Sequence, residues 1–548
     1  MIRSAVKLAA AGVLALTTFG QTGEKPRFLA ANVHVNGRPT WFGARQASSR
    51  GDYLEAKDVT LADLIGFAYN TAVSQVVGGP SWLEMDRFDV IAKAPPRTPP
   101  DQQKVMLQAL LAERFKLVVR EDSRSVPQYA LTSGSKHKLK QADNSEAPGC
   151  TPQSSGTATN ANTVILTNSG TTPVQISLTE GTIGYKCRNI SMAAFAAGMR
   201  EMVVANLGVN PVLDQTGLAG NWSFDLKYSI LPGVAGGPIS IFEAIDRQLG
   251  LKLEAKQIPT TVMLVESAER KPIDNPAGTA EALPPAGPKP FEVATIKVSN
   301  PDSTRVAYTM QPGGRLNAEG MPLSYFINRA FSQRYTGEVF GMPSWADTVK
   351  IDVVAQLASD GGPQFGVDNE TFAPALLGLL KERFGMTYHM EQRELQAYEL
   401  VAEKPKMKRE DPEVRAWCKP PAQVPGAPPA PQGWQALICR NITMTQFAEL
   451  LYQRTFDLKS PIANATGLEG GWDFTLTFNP TANPTTGRAV PRSADSVAGP
   501  TPIAASDPVA GYTIFEAIEK QLGLELKKTK LSMPVPVIDH IDQTPSDN

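Results

Sequence analysis

The chain has 548 residues, of which 42% are hydrophobic, and its formal net charge at pH 7 is −1. A chain this long predicts roughly two to four domains, and its apolar content excludes a wholly disordered protein. The balanced charge predicts no nucleic-acid partner and no overall attraction to an anionic membrane surface.

The N-terminus has the pattern of a signal peptide covering residues 1–20. Arg3 and Lys7 supply the positive start, an apolar stretch follows, and small residues lead to Gly20. The apolar stretch is too short to cross a bilayer comfortably, and no later run is apolar enough for a membrane helix. We therefore expect cleavage near Gly20 and an exported mature protein, periplasmic or extracellular, without a membrane span.

Helices and short strands alternate through the first half of the chain. The predicted helices are 60–70, 101–114 and 191–204, with a further short helix from residue 241. The predicted strands are 87–93, 115–121, 128–132, 222–228, 251–255 and 261–266. This mixture predicts an α+β fold made of repeated short βαβ-like units with antiparallel strand pairs.

The helix at residue 241 carries its own start and stop signals. Ser240 followed three places later by Glu243 forms an S/T-x-x-E capping box, and Gly250 suits a left-handed C-cap. The same phrase returns with Thr513 and Glu516 in the second half. We interpret both copies as a short capped helix that turns directly into a strand.

The repeated phrase belongs to a tandem duplication of a whole domain. The two halves align colinearly over about 250 residues, which excludes a solenoid of short repeats. The predicted organisation is a repeat domain at 26–275, a Pro/Ala/Gly linker at 276–290 and a second repeat domain at 291–548. Low-complexity inserts at 94–100, 142–182, 419–433 and 479–511 are predicted to be exposed loops.

The shared motifs carry a resemblance to a known family. They are the G-x-P-S-W turn, E-R-F at a helix end, T-G-L-x-G-x-W-x-F, and the closing A-I-x-x-Q-L-G-L. The chain resembles a soil-associated family of uncharacterised exported proteins, abundant in Acidobacteria and usually a single domain. It is more weakly similar to the extracytoplasmic ends of BlaR-type proteins and to the small βαβ modules of secretins and TonB-dependent receptors. The likeness to BlaR-type proteins implies sensing, and the likeness to the secretin and TonB modules implies binding of protein partners.

Four cysteines, an even number, favour disulfides in an exported chain. Three pairings are possible for Cys150, Cys187, Cys418 and Cys439. Because each half carries two of them, pairing within each half is the economical prediction, Cys150–Cys187 and Cys418–Cys439. Each bridge closes a loop of roughly 20 to 40 residues, which corresponds to about 3 kcal/mol of loop entropy.

No histidine faces another histidine across the repeat, and the common catalytic and metal-binding motifs are absent from the sequence. The sequence therefore predicts no catalytic residue, no metal ligand and no cofactor.

Four sets of polar residues recur in both halves, and each also has a structural interpretation that we favour. The favoured structural roles are a strand-edge acceptor for the aspartates, surface charge at a helix end for the Glu-Arg pairs, capping for the glutamates, and anchoring of the disulfide loop for the Arg-Asn pairs. The sets are Asp89 and Asp352, Glu113-Arg114 and Glu382-Arg383, Glu243 and Glu516, and Arg188-Asn189 and Arg440-Asn441.

The tryptophans shared by the repeats are the candidate binding surface: Trp82, Trp345, Trp222 and Trp472. An aromatic residue in a turn can present a platform to a ligand, although the alternative, that each fills its own core, is favoured. The leading hypothesis is a non-enzymatic binding, interaction or sensing protein whose partner is an envelope protein or a glycan. The alternative is an envelope or polysaccharide hydrolase that uses carboxylates such as Asp89, Asp352, Glu113 and Glu382.

Overall fold

The computed structural model of the protein describes most of the chain. The predicted signal peptide and most of the inserts at 142–182 and 479–511 lie outside the described residues. The described residues are 26–36, 47–134, 136–143, 145–153, 163–166, 174–177, 182–203, 207, 210–229, 239–283, 291–300, 306–311, 314–331, 339–357, 369–431, 434–454, 460–479 and 512–546.

The first repeat and the start of the linker contain fourteen described strands and five described α-helices. The strands are β1 (Ala30–Val35), β2 (Ala47–Arg50), β3 (Tyr53–Thr60), β4 (Val76–Gly78), β5 (Arg87–Lys93), β6 (Val118–Ser133), β7 (Lys140–Gln141), β8 (Gly149–Gln153), β9 (Thr163–Leu166), β10 (Val174–Ser177), β11 (Thr182–Ser191), β12 (Val212–Gln215), β13 (Asn221–Ser229) and β14 (Leu251–Ser267). The helices are α1 (Leu61–Ala68), α2 (Pro100–Arg114), α3 (Met192–Met202), α4 (Ile241–Ala244) and α5 (Thr279–Ala282).

The second repeat follows the same order in its described part. Its strands are β15 (Phe291–Val298), β16 (Ala307–Gln311), β17 (Arg315–Pro322), β18 (Lys350–Leu357), β19 (Thr387–Ala402), β20 (Lys408–Arg409), β21 (Trp417–Lys419), β22 (Gln435–Ile442), β23 (Ile462–Asn464), β24 (Trp472–Phe478) and β25 (Leu524–His540). Its helices are α6 (Leu323–Phe331), α7 (Asn369–Phe384), α8 (Met444–Arg454) and α9 (Ile514–Ala517).

Each repeat consists of two lobes, and each lobe has its own apolar core. Lobe 1A packs α1 and α2 on the sheet β1-β5-β3-β2, and lobe 1B packs α3 and α4 on the sheet β7-β13-β11-β8. Lobe 2A packs α6 and α7 on β15-β18-β17-β16, and lobe 2B packs α8 and α9 on β20-β24-β22-β21. The fold is therefore α+β with mostly antiparallel strands in several small sheets, as the sequence predicts.

A long antiparallel ribbon joins the two lobes of each repeat. β6 pairs with β14 over its whole length, and β19 pairs in the same way with β25. One end of the first ribbon lies in the core of lobe 1A, and the other end lies in the core of lobe 1B. The sequence predicts two shorter strands in place of each of β6 and β14, which is wrong: both strands continue through a polar and largely exposed middle.

The order β-α-β along the chain does not produce parallel βαβ units. The strands on either side of α2, α3 and α4 lie in different sheets, so each of these helices connects one sheet to another. The described parallel pairs join short strands to the ribbons, namely β12 to β6, β4 to β14 and β23 to β19. The predicted alternation of elements is therefore present, while the βαβ-like pairing is not.

The capped helix predicted at residue 241 is confirmed in both repeats. The Ser240 hydroxyl accepts from the Glu243 amide at 3.3 Å, and the Thr513 hydroxyl accepts from the Glu516 amide at 3.2 Å. Each helix continues as one π turn and ends at a glycine with φ of +67°, after which the ribbon strand begins at once. The glutamates are used for capping, as expected.

Arg114 corrects another expectation, because it is not a surface charge. Its side chain is 3% exposed, and its guanidinium donates to the carbonyls of Ile273, Asp274 and Ala31. It also donates to the side chain of Asn275, which holds β1 through the Val33 backbone. Arg114 therefore fastens the end of the first repeat against its first strand, while Glu113 remains exposed.

Candidate functional site: the contact between the repeats

A tight turn in lobe 1A positions the site. Gly78 and Gly79 both have positive φ, at 70° and 76°, and a Cβ on Gly79 would lie 2.7 Å from the Val265 side chain. Glycine therefore lets this turn lie directly on the ribbon. Pro80 then starts a single 3₁₀ turn, Ser81–Glu84, which places Glu84 at the boundary with the second repeat.

A segment of lobe 2B, residues 414–423, docks against this turn; we call it the docking segment. The Glu84 carboxylate accepts from Arg415 Nη1 at 3.0 Å and from Lys419 Nζ at 2.6 Å. Arg415 also donates to the backbone carbonyls of Val76 and Gly78. One carboxylate therefore meets two cations, and one guanidinium satisfies three acceptors.

Backbone and apolar contacts extend this interface. The Ala416 amide donates to the Ser81 carbonyl at 2.9 Å, so the backbone of the docking segment also binds the backbone of the turn. Met85, the residue after Glu84, is 6% exposed and lies in the core of lobe 2B. The first repeat thus contributes a side chain to a core of the second repeat.

The C-terminal part of the docking segment contacts lobe 1B. The Tyr129 hydroxyl donates to the Ala422 carbonyl at 3.0 Å, and the Asn210 amide donates to the Gln423 carbonyl at 3.0 Å. Burial raises the pKa of Tyr129 to about 12, so its hydroxyl remains a hydrogen-bond donor at neutral pH. Residues 419–433, expected from the sequence to be an exposed loop, therefore begin as part of an interface.

Burial raises the pKa of the Glu84 carboxyl, whereas Lys419 and Arg415 lower it through charge and hydrogen bonds. The cations outweigh burial, and the pKa of Glu84 lies below its ordinary value. Its side chain is 12% exposed and that of Arg415 is 14% exposed, while Lys419 is 34% exposed and still reaches water. Glu84 is therefore ionised at neutral pH in a largely desolvated position.

Two restraints, one covalent and one made of hydrogen bonds, hold the docking segment in its own lobe. The disulfide Cys418–Cys439 joins β21 to β22, and Cys150–Cys187 joins β8 to β11 in lobe 1B. The structure therefore contains both expected pairings, one within each half. Asn441 adds a second restraint, because its side-chain amide donates to the carbonyls of Pro412 and Val414, at the start of the segment.

The recurring Arg-Asn motif has a structural explanation. Asn189 and Asn441 adopt positive φ of 46° and 50° at β-bulges in β11 and β22, a conformation that asparagine tolerates better than most residues. Asn189 donates to the Glu146 carbonyl at 3.1 Å, as Asn441 does to its own upstream segment. The motif therefore anchors the disulfide segment in each repeat.

A cleft of about 470 Å³ adjoins the interface between lobes 1A and 2B. Arg270 binds both carboxylate oxygens of Asp86 at its edge, at 2.5 and 2.9 Å. Glu449 of α8 enters from the second repeat, and burial raises the pKa of its carboxyl. The remaining lining residues are Val35, Asn36, Met85, Arg87, Lys271 and Gln446.

The four candidate tryptophans are dispersed rather than gathered into one surface. Trp82, Trp222, Trp345 and Trp472 are each half-buried, and each packs against a different core, in lobes 1A, 1B, 2A and 2B. The indole Nε1 atoms of Trp222 and Trp472 are buried without a hydrogen-bond partner. The part of each ring that remains exposed is the surface available to a ligand.

The recurring aspartates serve the backbone. Asp89 Oδ1 accepts from the Asp58 amide at 2.7 Å, and Asp352 Oδ1 accepts from the Gly320 amide at 2.9 Å. Both amides lie at a β-bulge, and their hydrogen bonds help to lower the pKa of each aspartate against the opposing effect of burial. Glu113 instead pairs with Arg27 at 3.4 Å, so the acids named in the sequence analysis have separate partners.

One pair of neighbouring carboxyls, Glu410 and Asp473, is not predicted by the sequence. Glu410 and Asp473 hydrogen-bond to each other beside Arg440, whose Nε lies 3.6 Å from the first carboxylate and 3.8 Å from the second. The shared hydrogen bond lowers the pKa of Glu410, and burial raises that of Asp473. The two residues are 63 positions apart in sequence, so no local spacing indicates the pair.

Two histidines pair with aspartates near one end of the second ribbon, His389 with Asp539 at 2.8 Å and His540 with Asp542 at 3.1 Å. Across the described residues, no group of three or more His, Cys, Asp or Glu side chains is arranged to hold a metal ion. Within the same residues, no helix combines the length and apolarity needed to cross a membrane.

Comparison with known proteins identifies the duplicated unit. Residues 62–268 and 324–541 match the family described as "Protein of unknown function (DUF3738)". The chain belongs to this family. No curated protein and no solved structure matches it. The two DUF3738 regions correspond to the two repeats, each with a core in both of its lobes.

The two DUF3738 repeats differ at the contact that joins them. Asp347 occupies the position of Glu84 in the second repeat and is exposed. The positions of Arg415 and Lys419 are held in the first repeat by Ala147 and Thr151, which carry no charge. The ionic part of the contact is therefore specific to one arrangement, the second repeat's segment on the first repeat's turn.

Proposed function

We propose that the protein is an exported, non-enzymatic binding protein of the cell envelope or extracellular space, with an envelope protein or a glycan as its partner. The observation that carries this proposal is the docking of residues 414–423 on the turn of lobe 1A. Within this chain, the DUF3738 fold already binds an extended segment through backbone carbonyls and one carboxylate. Backbone hydrogen bonds combined with a few side-chain contacts are also how many domains bind extended peptides.

The use of the shared polar residues supports the same proposal. Asp89 and Asp352 accept from bulge amides, Glu243 and Glu516 cap helices, and the two asparagines of the Arg-Asn motif anchor disulfide segments. Polar residues that are common to both repeats and whose side chains already hydrogen-bond to the backbone serve a structural scaffold. Such a scaffold can present different surfaces in its two copies.

The two disulfides and the signal-peptide pattern support export. Disulfides persist in oxidising compartments, and both bridges close segments with few apolar residues. The proposed organisation remains a signal peptide at 1–20, repeat domains at 26–275 and 291–548, and a linker at 276–290. The first part of that linker forms α5, and Leu283 after it is buried.

The full-length secreted chain, immobilised through its C-terminus, tests the proposal. It is exposed to a glycan array and, separately, to envelope proteins with photo-crosslinking. We expect saturable binding in one of the two, weakened by Trp345→Phe or Trp472→Phe and unchanged in Trp434→Phe, a half-buried tryptophan outside the candidate set. The absence of saturable binding in both formats would contradict a binding function.

A carboxylate-based hydrolase is the second candidate, because Glu410 and Asp473 are neighbouring carboxyls whose pKa values are shifted in opposite directions. Paired acids of this kind can divide the roles of acid and base. Turnover of cell-wall or plant polysaccharides that is lost in Asp473→Asn and retained in Asp352→Asn would favour it. Turnover by neither the parent chain nor any variant would leave the pair as a partner of Arg440.

A further inference from the structure

The second repeat carries its own copy of the turn that the docking segment covers in the first repeat. Gly341 has φ of 69° against 70° for Gly78, and the 3₁₀ turn Ser344–Asp347 matches Ser81–Glu84 residue for residue. Phe340 bonds to the second ribbon through its amide and carbonyl, as β4 pairs with the first ribbon. The second repeat therefore carries the same glycine and the same 3₁₀ turn, with Met342 in the place of Gly79.

This second turn is uncovered in the described part of the chain. Gly341, Ser344 and Asp347 are exposed, and the Asp347 carboxylate makes no ion pair with any residue in the described ranges. The nearby Arg393 lies over the Phe340 ring at 4.5 Å and is paired with Glu391, so its charge is already offset. The exposed Asp347 carboxylate, at the end of an exposed turn, thus remains available to a ligand.

We propose that residues 341–347 form a docking site for an extended segment of a partner protein that carries an arginine and, four residues later, a lysine. This inference rests on the proposed binding function and specifies the chemistry of one of its surfaces. In the occupied copy, the arginine binds the turn carbonyls and both cations bind the acidic side chain. Asp347 keeps the charge of Glu84 on a side chain one carbon shorter.

A second copy of this chain does not supply the occupant. The disulfide segment of the first repeat has Ala147 and Thr151 where the docking segment has Arg415 and Lys419. The only matching segment in the described chain, residues 414–423, is bound to its own first repeat. Charge complementarity therefore points to a different protein with a basic segment.

The test uses the full-length chain and a fluorescein-labelled peptide, residues 412–423 of this sequence with serine in place of its cysteine. Fluorescence anisotropy should give saturable one-to-one binding with a Kd on the order of 0.1 mM, since the free peptide lacks the advantage of tethering. Asp347→Asn should weaken binding about 10-fold. A peptide with glutamates replacing its arginine and lysine should not bind.

The controls separate the two sites and the two proposals. Equal affinity for the parent chain and Asp347→Asn, or no binding at millimolar peptide, would overturn the inference. Binding abolished by Glu84→Gln but not by Asp347→Asn would also overturn it, because the peptide would then be displacing the docking segment from the first repeat. A partner captured in the envelope or glycan experiment would preserve the proposed function even if the peptide failed to bind.

Discussion

Replacing Glu84 by glutamine tests whether one carboxylate holds the repeats together. The substitution keeps the size of the side chain and removes the charge that Arg415 and Lys419 share. Asp347→Asn makes the same chemical change at the equivalent, exposed position of the second repeat. The duplication therefore provides a control within the same chain.

The expected cost follows from the exposure of the three groups. Breaking a fully buried ion pair costs about 3–5 kcal/mol, because the remaining charge is left without a partner. Lys419 is 34% exposed and can turn to water, and Arg415 retains its two carbonyl acceptors, so we expect about 2 kcal/mol. For Asp347→Asn we expect less than about 0.5 kcal/mol, as for other exposed positions.

Amide hydrogen exchange of residues 412–424, measured by mass spectrometry, is the appropriate readout. A chain with four cores need not unfold in one step, whereas local exchange reports the opening of the docking segment directly. A cost of about 2 kcal/mol corresponds to roughly 30-fold faster exchange in Glu84→Gln. Unchanged exchange in this variant, or equal acceleration in Asp347→Asn, would refute the reasoning.

Three further predictions concern the pH dependence of the Glu84 contact, the role of Arg114 and the Thr513 cap. Because the pKa of Glu84 is lowered in the folded chain, its stabilising contribution is complete above the ordinary carboxyl pKa and is lost as pH falls through the lowered value. Amide exchange of residues 412–424 should therefore accelerate in acid in the parent chain. In Glu84→Gln the exchange rate should vary less with pH. Arg114→Met should lower the free energy of opening of lobe 1A by about 3 kcal/mol, measured by amide hydrogen exchange of β1, because four acceptors lose their donor. A loss below about 1 kcal/mol would contradict its fastening role. Thr513→Ala should destabilise lobe 2B by about 1 kcal/mol, whereas Thr513→Ser should have little effect if the capping hydroxyl is the cause.

Local signals predicted the local structure well. The capping boxes, the strand 87–93 and the helix 101–114 are encoded within a few residues, and the structure has them with bounds that differ by one residue at most. The duplication and the cysteine positions are equally direct, because they depend on matching the chain with itself. In each case the physical cause and the sequence pattern occupy the same short stretch.

The ribbons and the contact between repeats depend on partners far along the chain. The middle of β6 contains Glu121, Arg124 and Pro127, a polar run that in isolation indicates a loop. Its pairing is determined by apolar residues at its two ends, which lie in different lobes. The same is true of Glu84 and Arg415, which are 331 residues apart and carry no pattern that relates them.

The ribbons also determine how the lobes of a repeat can move. All sixteen residues of β6 are paired with β14, with one register shift between Val265 and Ser267, so sliding one lobe past the other would break many hydrogen bonds at once. A two-stranded ladder resists shear but accepts changes in twist at much lower cost. We therefore expect the easiest motion of each repeat to be a twist about the ribbon axis, in which one lobe rotates relative to the other.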